Sequence, residues 1–374
     1  MWTSIISLSL LSVAAADETS QWLEALGYVD AAEEAAVGQS GVTLHNAARI
    51  QRDGLRLYCT RTQGHAELID SSGASVRTWS ATTDKHWLNC ALDTDGSLMV
   101  VGIEESEAHK GPFVARYAPD GAQQWRIYGS YHHDIILQGE TWLVLDSDAR
   151  RVESPSGTRQ IKDNRIVALD RSGAVLQHWS LYDAVTTGPA ALTLKWPESL
   201  EGHARLDLLH ANTIGLVAAG EALPEGSVAV TLRHQDAVVI LDSGMSKAMW
   251  SWGPGELKRP HEGFLVDGRL LVFDNDNDSR ILGVDPTTKT ITWRYEAADF
   301  HSASRGGVVP MSGGNLLLTE SNSGRVIEIT LDGEVVWEWQ NPHLNDKGHR
   351  VTIRRMHWIA PENLPSDLQA AARP

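Results

Sequence analysis

Residues 325–337 read RVIEITLDGEVVW, an apolar strand, a turn at Asp332-Gly333 and a second strand that ends in tryptophan. Five other segments share this pattern, and they end at Trp79, Trp125, Trp179, Trp250 and Trp293. In chain order, the six tryptophans are 46, 54, 71, 43 and 44 residues apart. A repeat of about 40–50 residues built from short antiparallel strands is typical of a β-propeller blade.

A second hairpin lies between successive tryptophan segments and is clearest in HEGFLVDGRLLVFD, His261–Asp274. Two hairpins per repeat give four strands, so the sequence predicts an all-β, six-bladed propeller of four-stranded blades at residues 41–358. The 71-residue spacing indicates an insertion around Leu181–Arg205. The chain has 14 Trp but only 4 Phe, and we expect each blade-ending tryptophan to pack between adjacent sheets.

The segments outside the repeats predict an exported protein. Residues 1–16 form an apolar run that ends in the small residues Ala14 and Ala16, as a signal peptide does. We expect a helical segment at 17–40, a tail at 359–374, and a periplasmic or secreted location. No later segment is long and apolar enough to be a membrane span. Cys59 and Cys90 are interpreted either as one disulfide or as two free thiols.

The charge of the chain excludes some classes of partner. A formal charge of −16 argues against a nucleic-acid surface and against docking on anionic lipid, because both would repel the protein. It does not exclude an anionic small molecule, for which a local cationic pocket is enough. The oligomeric state stays open, with a homodimer as one option.

Propeller geometry brings several histidines to one mouth of the central channel. The residue before a blade's innermost strand and the turn after its second strand both lie at the same face of the disc. With blades counted from the hairpin at 89–102, His132 and His133 open the second inner strand, His210 the third and His261 the fourth. Arg233 and His234 follow the second strand of the third blade. The sequence therefore predicts a funnel lined by imidazoles and a guanidinium.

Three other histidines and one acidic stretch receive simpler interpretations. His178, His343 and His349 are expected to be structural, since they lie in an outer strand or a polar loop. The spacing of the histidines matches no short zinc motif, and no metal or cofactor is expected. Asp274–Asp278 has the composition of a calcium loop without its glycine and its later glutamate, so a solvated acidic turn is the favoured interpretation.

The sequence resembles the bacterial aryl-sulfate sulfotransferase family from roughly His133 to Pro342, with weaker similarity from Gly41. The motifs that carry the resemblance are HHDI at 132–135, DLLHANTI at 207–214, TLRH at 231–234, WSWGPGELKRPHEGFLVDGRLLVFDN at 250–275, RGGVVPMSGGNLLLTES at 305–321 and GRVIEITLDGEVVWEWQNP at 324–342. The resemblance implies a periplasmic six-bladed propeller. It also implies transfer of a sulfuryl group from an aryl sulfate ester to a phenol without a nucleotide donor.

The resemblance also implies roles for individual residues. His261 matches the nucleophile that carries the sulfuryl group, and His210 and Arg233 match a sulfate-binding histidine and arginine. One of His132 and His133 matches a further active-site histidine, with His133 favoured. His132 and His234 are then expected to help bind the substrate.

Two other functions compete with this enzyme. Around His261 the chain reads Arg-Pro-His-Glu, where a Gln-His-Asp type of stretch is expected, and this difference favours a non-catalytic propeller that binds ligands or partners. A third hypothesis is a different propeller enzyme, such as a metal-dependent lactonase or a quinone-dependent dehydrogenase.

Overall fold

The computed structural model describes residues 39–61, 63–197, 206–217, 223–275 and 278–373. Within these ranges 25 β-strands form six antiparallel sheets. The innermost strand of each sheet contacts the innermost strands of the two neighbouring sheets, so the six sheets form a closed ring. The predicted six-bladed β-propeller is confirmed.

Each blade is numbered here in the order used above, with its strands given from the channel outward. Blade I contains β5 (Asp84–Leu92), β6 (Leu98–Glu105), β7 (Lys110–Tyr117) and β8 (Gln123–Tyr128), and blade II contains β9 (Ile135–Gln138), β10 (Thr141–Ser154), β11 (Gly157–Leu169) and β12 (Val175–Ser180). Blade III contains β13 (Ala211–Leu216), β14 (Val228–Leu232), β15 (Ala237–Leu241) and β16 (Ala248–Trp252), and blade IV contains β17 (Glu262–Val266), β18 (Arg269–Asp274), β19 (Arg280–Val284) and β20 (Ile291–Tyr295). Blade V contains β21 (Gly307–Pro310), β22 (Leu316–Glu320), β23 (Arg325–Ile329) and β24 (Val335–Gln340).

Blade VI closes the ring by combining distant parts of the chain. Its innermost strand is β25 (Ile353–Ile359), which pairs with β2 (Leu55–Thr60); β3 (Gly64–Ile69) and β4 (Ser75–Ala81) follow outward. The first described strand, β1 (Gly41–His45), pairs with β24 as a fifth strand of blade V. The repeat pattern predicted neither feature, because single strands outside a repeat carry no repeat signal.

The apolar core is divided among the gaps between blades. Among the described residues, six of the buried apolar clusters each fill the gap between one pair of neighbouring blades. Middle strands such as β14 and β15 are buried along their whole length because a neighbouring sheet covers each face. This explains their nearly continuous apolar sequences, VAVTL and AVVIL.

The blade-ending tryptophans join each blade to the next one. In five of them the indole Nε1 donates a hydrogen bond of 2.7–3.0 Å to a carbonyl in the turn between the third and fourth strands of the following blade. The donor–acceptor pairs are Trp79–Ala118, Trp125–Arg171, Trp250–Pro286, Trp293–Leu331 and Trp337–Ser71. The predicted packing between adjacent sheets is confirmed, and the last pair spans the closure between blades V and VI.

Removing the indole N–H at the closure is expected to destabilise the ring. Trp337 is fully buried, so Trp337→Phe would leave the Ser71 carbonyl without this 2.8 Å bond. We expect a loss of about 1–3 kcal/mol in the free energy of unfolding, measured by urea denaturation. Trp293→Phe is the matched control: Trp293 is only half-buried, so water can replace its bond. Equal losses in both variants would contradict this explanation.

The predicted insertion and an unexpected hairpin both extend blade II. The insertion begins with a short helix, α1 (Leu181–Val185), whose N-cap Ser180 accepts a bond from the Asp183 amide. Strands β10 and β11 run for 14 and 13 residues. The turn end of the hairpin that they form therefore projects beyond the end of the four-residue β9. Short 3₁₀ turns lie at Arg233–Gln235 and Pro361–Asn363.

The predicted signal peptide at 1–16 and nearly all of the predicted helical segment at 17–40 lie outside the described residues. In the described part of the chain, no helix has the length and apolar character needed to cross a membrane. Cys59 and Cys90 are free and buried. Beyond β25, Leu364, Leu368 and Ala372 of the tail pack into the cluster between blades VI and I.

Candidate active site

The backbone is left-handed at a histidine or an arginine just before each of three inner strands. His133 before β9, His210 before β13 and Arg305 before β21 have φ values of 56°, 49° and 63°. Non-glycine residues seldom adopt this conformation, which clusters at functional sites. Three blades therefore use the same backbone turn to present a cationic or titratable side chain at the channel mouth.

His132 and His133 form a hydrogen-bonded pair with a defined proton arrangement. The Nε2 of His132 lies 3.0 Å from the Asp146 carbonyl, which only accepts, so this nitrogen carries a proton. The other nitrogen, Nδ1, then accepts from His133 Nδ1 at 2.8 Å. The arrangement leaves the lone pair of His133 on Nε2, and the His133 ring lies edge-on to His210 at 5.2 Å between centroids.

Asp207 orients the His210 ring and determines which of its nitrogens carries the proton. Its carboxylate accepts from the His210 backbone N–H at 3.1 Å and from the ring Nδ1 at 2.8 Å. A carboxylate that accepts at Nδ1 fixes the tautomer and leaves Nε2 as the second functional nitrogen. The DLLH motif thus supplies both the histidine and the group that orients it, a role that the sequence analysis did not assign to Asp207.

Arg233 and His234 lie directly after β14, as predicted, and they contact one another. His234 Nδ1 donates to the Asp207 carbonyl at 2.6 Å, and its Nε2 accepts from Arg233 Nη1 at 2.8 Å. The His234 ring lies 4.6 Å from that of His210. His234 is exposed and Arg233 half-buried, so this pair forms the rim of the funnel.

Among the described residues, two acceptors hold the Nδ1 of His261. Its Nδ1 lies 2.7 Å from Asn275 Oδ1 and 3.0 Å from the Arg259 carbonyl. The Asn275 amide nitrogen donates to two carbonyls, those of Ser302 and Arg305, so its oxygen must face His261. Because both partners of Nδ1 are acceptors, this nitrogen carries the proton and the lone pair lies on Nε2.

All four buried histidines of the funnel favour the neutral form. Burial lowers the pKa of His132, of His133 and of His261 well below 6.5, and it lowers the pKa of His210 to about 4 against the opposing charge of Asp207. For His261, the positive charges of Arg233 and Arg354 lower the pKa further. Contacts connect Arg354 to this region: Arg354 donates to the Asn212 carbonyl, and the Asn212 amide donates to the carbonyl of Pro260, the residue before His261.

These shifts predict a loss of stability in mild acid. In the unfolded chain the histidines regain a pKa near 6.5 and bind protons that the folded form does not. Stability therefore falls as the pH drops from about 6.5 to 5, by up to about 1.4 kcal/mol per pH unit for each such histidine. Thermal unfolding across this range should show a steep decline in Tm that is reduced in His210→Gln. The exposed His178 provides the control, and a slope that is unchanged in His210→Gln would contradict the explanation.

The closing strand adds two arginines that the sequence analysis missed. Arg354 donates to the carbonyls of His133 (2.6 Å) and Asn212, and so reaches from blade VI to blades II and III. Arg355 bonds to Asp134 at 2.7 Å and to Glu262. Asp134, Glu262 and Arg355 form a buried triad, in which each side chain is at most 8% exposed. Asp134 and Glu262, the neighbours of two funnel histidines, therefore stabilise the ring beneath the site.

Two further features bear on metal binding at the mouth. Asp207, His210 and His234 place one ligand atom each within 4.8 Å of one another, but their known contacts already form a hydrogen-bond network.

The expectation of a solvated turn at 274–278 is wrong for its first two residues. Asp274 is buried and paired with Arg280, and buried Asn275 contacts His261.

A family model described as arylsulfotransferase (ASST) matches residues 96–342, more than half of the chain. This range includes every histidine of the funnel. The chain belongs to the arylsulfotransferase family. The resemblance found in the HANTI and TLRH motifs is thus confirmed for the family, and the arylsulfotransferase match ends at Pro342, before the strand that carries Arg354 and Arg355.

No curated protein matches this arylsulfotransferase-family chain. Solved structures to which the chain is similar include a protein of unknown function from Bacteroides caccae, with 16% identity, a TM-score of 0.49, and coverage of 82% of this chain and 99% of that one. BamB from Moraxella catarrhalis has 16% identity, a TM-score of 0.37 and coverage of 79% and 78%. Apo AztD from Citrobacter koseri has 10% identity, a TM-score of 0.45 and coverage of 83% and 98%. Similarity at this level says nothing about function.

Proposed function

We propose that this protein transfers a sulfuryl group from an aryl sulfate ester to a phenolic acceptor through a sulfohistidine at His261, without a nucleotide donor. The family supports sulfuryl transfer as the class of reaction. The observation that carries the specific mechanism is the acceptor-only environment of His261 Nδ1. It fixes the proton on Nδ1, and burial keeps the imidazole neutral, so that Nε2 has the lone pair needed to attack sulfur.

In the first step the Nε2 lone pair forms an N–S bond while the bond between sulfur and the aryl oxygen breaks. The phenolate leaves with that electron pair and takes a proton from solvent. In the second step the oxygen of the acceptor phenol attacks sulfur, the N–S bond breaks, and neutral His261 is regenerated. Splitting one difficult transfer into two easier ones is the advantage of a covalent intermediate.

Negative charge on the three non-bridging sulfate oxygens needs cationic partners in both steps. Arg233 at the rim and Arg354 from the closing strand are the proposed partners: Arg354 donates to Asn212, which donates to the carbonyl next to His261, and both positive charges lower the pKa of His261. A guanidinium offers several N–H donors in a fixed plane, which suits a sulfate group. Preorganised donors of this kind in a water-poor site stabilise charge that spreads in the transition state.

His210 and His133 have complementary tasks in this proposal. His210 can donate from Nε2 to a sulfate oxygen only after proton uptake, which the Asp207 carboxylate on Nδ1 and the anionic substrate both favour. His133 keeps its lone pair on Nε2, because its Nδ1 proton is donated to His132, and can take the proton of the acceptor phenol. His132 and His234 act as positioning residues for His133 and Arg233.

The direct test is mass spectrometry of the protein after exposure to p-nitrophenyl sulfate, without and with a phenol acceptor. We expect an adduct of one SO₃ unit on the peptide that contains His261, and its disappearance when acceptor is added. An adduct on another histidine would refute the assignment of the nucleophile. Complete lack of both adduct and p-nitrophenol release would favour a non-catalytic binding propeller.

Export to the periplasm or the cell exterior is part of the proposal, and it rests on the sequence of residues 1–16. An aryl sulfate and a phenol are the proposed small-molecule partners. Cell fractionation of the native host, with immunodetection of the protein, would test the location.

A further inference from the structure

A second group of histidines lies outside the funnel, in the gap between blades V and VI. His65 and Glu67 lie two residues apart on β3, and His343 lies in the loop that connects β24 to the closing strand β25. One ligand atom from each of the three lies within 4.8 Å of the others. We propose that His65, Glu67 and His343 bind a divalent transition-metal ion such as Zn²⁺, which clamps the closure of the propeller.

The group offers the ligand types that zinc prefers. His343 Nε2 lies 3.7 Å from Glu67 Oε2, and the rings of His65 and His343 are 4.6 Å apart between centroids. Ligand atoms around a tetrahedral Zn²⁺ at about 2.1 Å are about 3.4 Å from one another. Small side-chain rotations therefore suffice to bring these atoms to coordination distance.

A purely structural role explains Glu67 and His343 but not His65. Tyr58 donates to Glu67, and its hydroxyl lies 3.3 Å from His343 Nε2. By contrast, His65 Nε2 is buried and has no hydrogen-bond partner among the residues that the structure describes. A buried polar atom of this kind requires an explanation, and an ion is one of the few available.

The loop that carries His343 is held firmly in place. The His343 amide donates to Asn341 Oδ1 at 3.2 Å, and its carbonyl accepts from the Val351 amide at 2.9 Å. Arg350 also donates to the Asn341 carbonyl at 2.7 Å. The imidazole is therefore presented from a braced backbone, as a preorganised ligand should be.

The position of the group gives the ion a structural function. β3 belongs to the first repeat of the chain, whereas the His343 loop immediately precedes the last strand of the ring. A bound ion would link these two parts across the gap between blades V and VI and would stabilise the folded form, because the unfolded chain does not hold the ligands together. This proposal is independent of sulfuryl transfer, and its ligands are not part of the candidate active site.

Zinc binding and thermal unfolding of the complete protein test the proposal. With Zn²⁺ as the probe, competition with a chromogenic chelator should reveal a site that is lost, by at least about 100-fold in affinity, in His343→Gln and in His65→Gln. At a free Zn²⁺ concentration about 100 times the Kd, the Tm should rise on the order of 5 °C in the wild type and not in these variants. His349→Ala, in the same loop, should behave like the wild type.

Zinc could also bind at a second group of residues, and the variants distinguish the two positions. The second potential ligand group, Asp207–His210–His234, lies at the funnel. Zinc affinity that survives in His343→Gln and in His65→Gln, or that is lost only in His234→Ala, would place the ion elsewhere. If the glutamine variants fail to fold, X-ray absorption of the zinc-loaded wild type decides. The measurement is repeated on zinc-loaded His234→Ala, which removes one ligand of the funnel group: two imidazoles with oxygen ligands in both proteins support the site, and any other number in either protein refutes it.

Discussion

His261→Ala is expected to lower the rate of p-nitrophenol release from p-nitrophenyl sulfate by at least about 1,000-fold. The variant lacks the Nε2 lone pair that forms the N–S bond in the proposed mechanism, and an alanine side chain cannot carry a covalent intermediate. Arg233 and Arg354 would still bind the sulfate group, so the loss should fall on kcat more than on KM. Initial rates measured by absorbance at several donor concentrations, with a phenol acceptor present, would separate the two constants.

A matched control makes this result specific. His178→Ala removes an exposed imidazole from β12, outside the funnel, and should retain the wild-type rate. The sulfuryl adduct should also be absent from His261→Ala and present in His178→Ala. Transfer that persists in His261→Ala at more than a tenth of the wild-type rate would show that His261 is not the nucleophile.

Arg355→Met is expected to cause the largest loss of stability among single substitutions in the channel, about 3–5 kcal/mol in the free energy of unfolding. The guanidinium bonds to both Asp134 and Glu262, and these three side chains join blades II, IV and VI. Methionine fills similar volume but leaves two carboxylates buried without their cation. Burial already raises the pKa of Glu262 even with Arg355 present.

The pH dependence of the Arg355→Met defect provides the sharper test. Without Arg355, the folded-state pKa of Glu262, already raised by burial, should rise further above its unfolded value of about 4. The folded variant then binds more protons than the unfolded chain, so its stability relative to wild type should improve as the pH falls. Adding Asp134→Asn and Glu262→Gln should recover much of the loss, as measured by urea denaturation. A defect below about 1 kcal/mol, or one that is independent of pH, would contradict this account of the buried triad.

The sequence predicted the residues at the mouth of the channel more completely than the contacts deeper inside it. Residues before an inner strand or after a second strand are brought to one face by any regular blade, and His133, His210, His261, Arg233 and His234 all follow that rule. Asn275 obeys the same rule, since it directly follows β18, but its amide was interpreted as part of an acidic turn. Its contact with His261 depends on side-chain packing, which the order of residues along the chain does not reveal.

Arg354 and Arg355 illustrate a different limit. They lie in VTIRRMHW at 351–358, outside the tryptophan repeat, and nothing local marks this stretch as the innermost strand of blade VI. Only pairing with β2, nearly 300 residues earlier in the chain, brings these arginines into the channel. The metal group proposed above depends on the same closure, whereas from the sequence His343 was interpreted as structural because it lies in a polar loop.

By itself, the sequence determined the six repeats, the four strands in each complete blade and the end of the channel at which the histidines meet. These properties follow from the alternation of apolar residues, turn residues and tryptophans, all of which act over fewer than about 50 residues. The tertiary structure alone decided how the ring closes, which arginines enter the channel and which nitrogen of each imidazole keeps its lone pair. Those features depend on contacts between groups far apart in the chain, and such contacts exist only once all six blades have packed together.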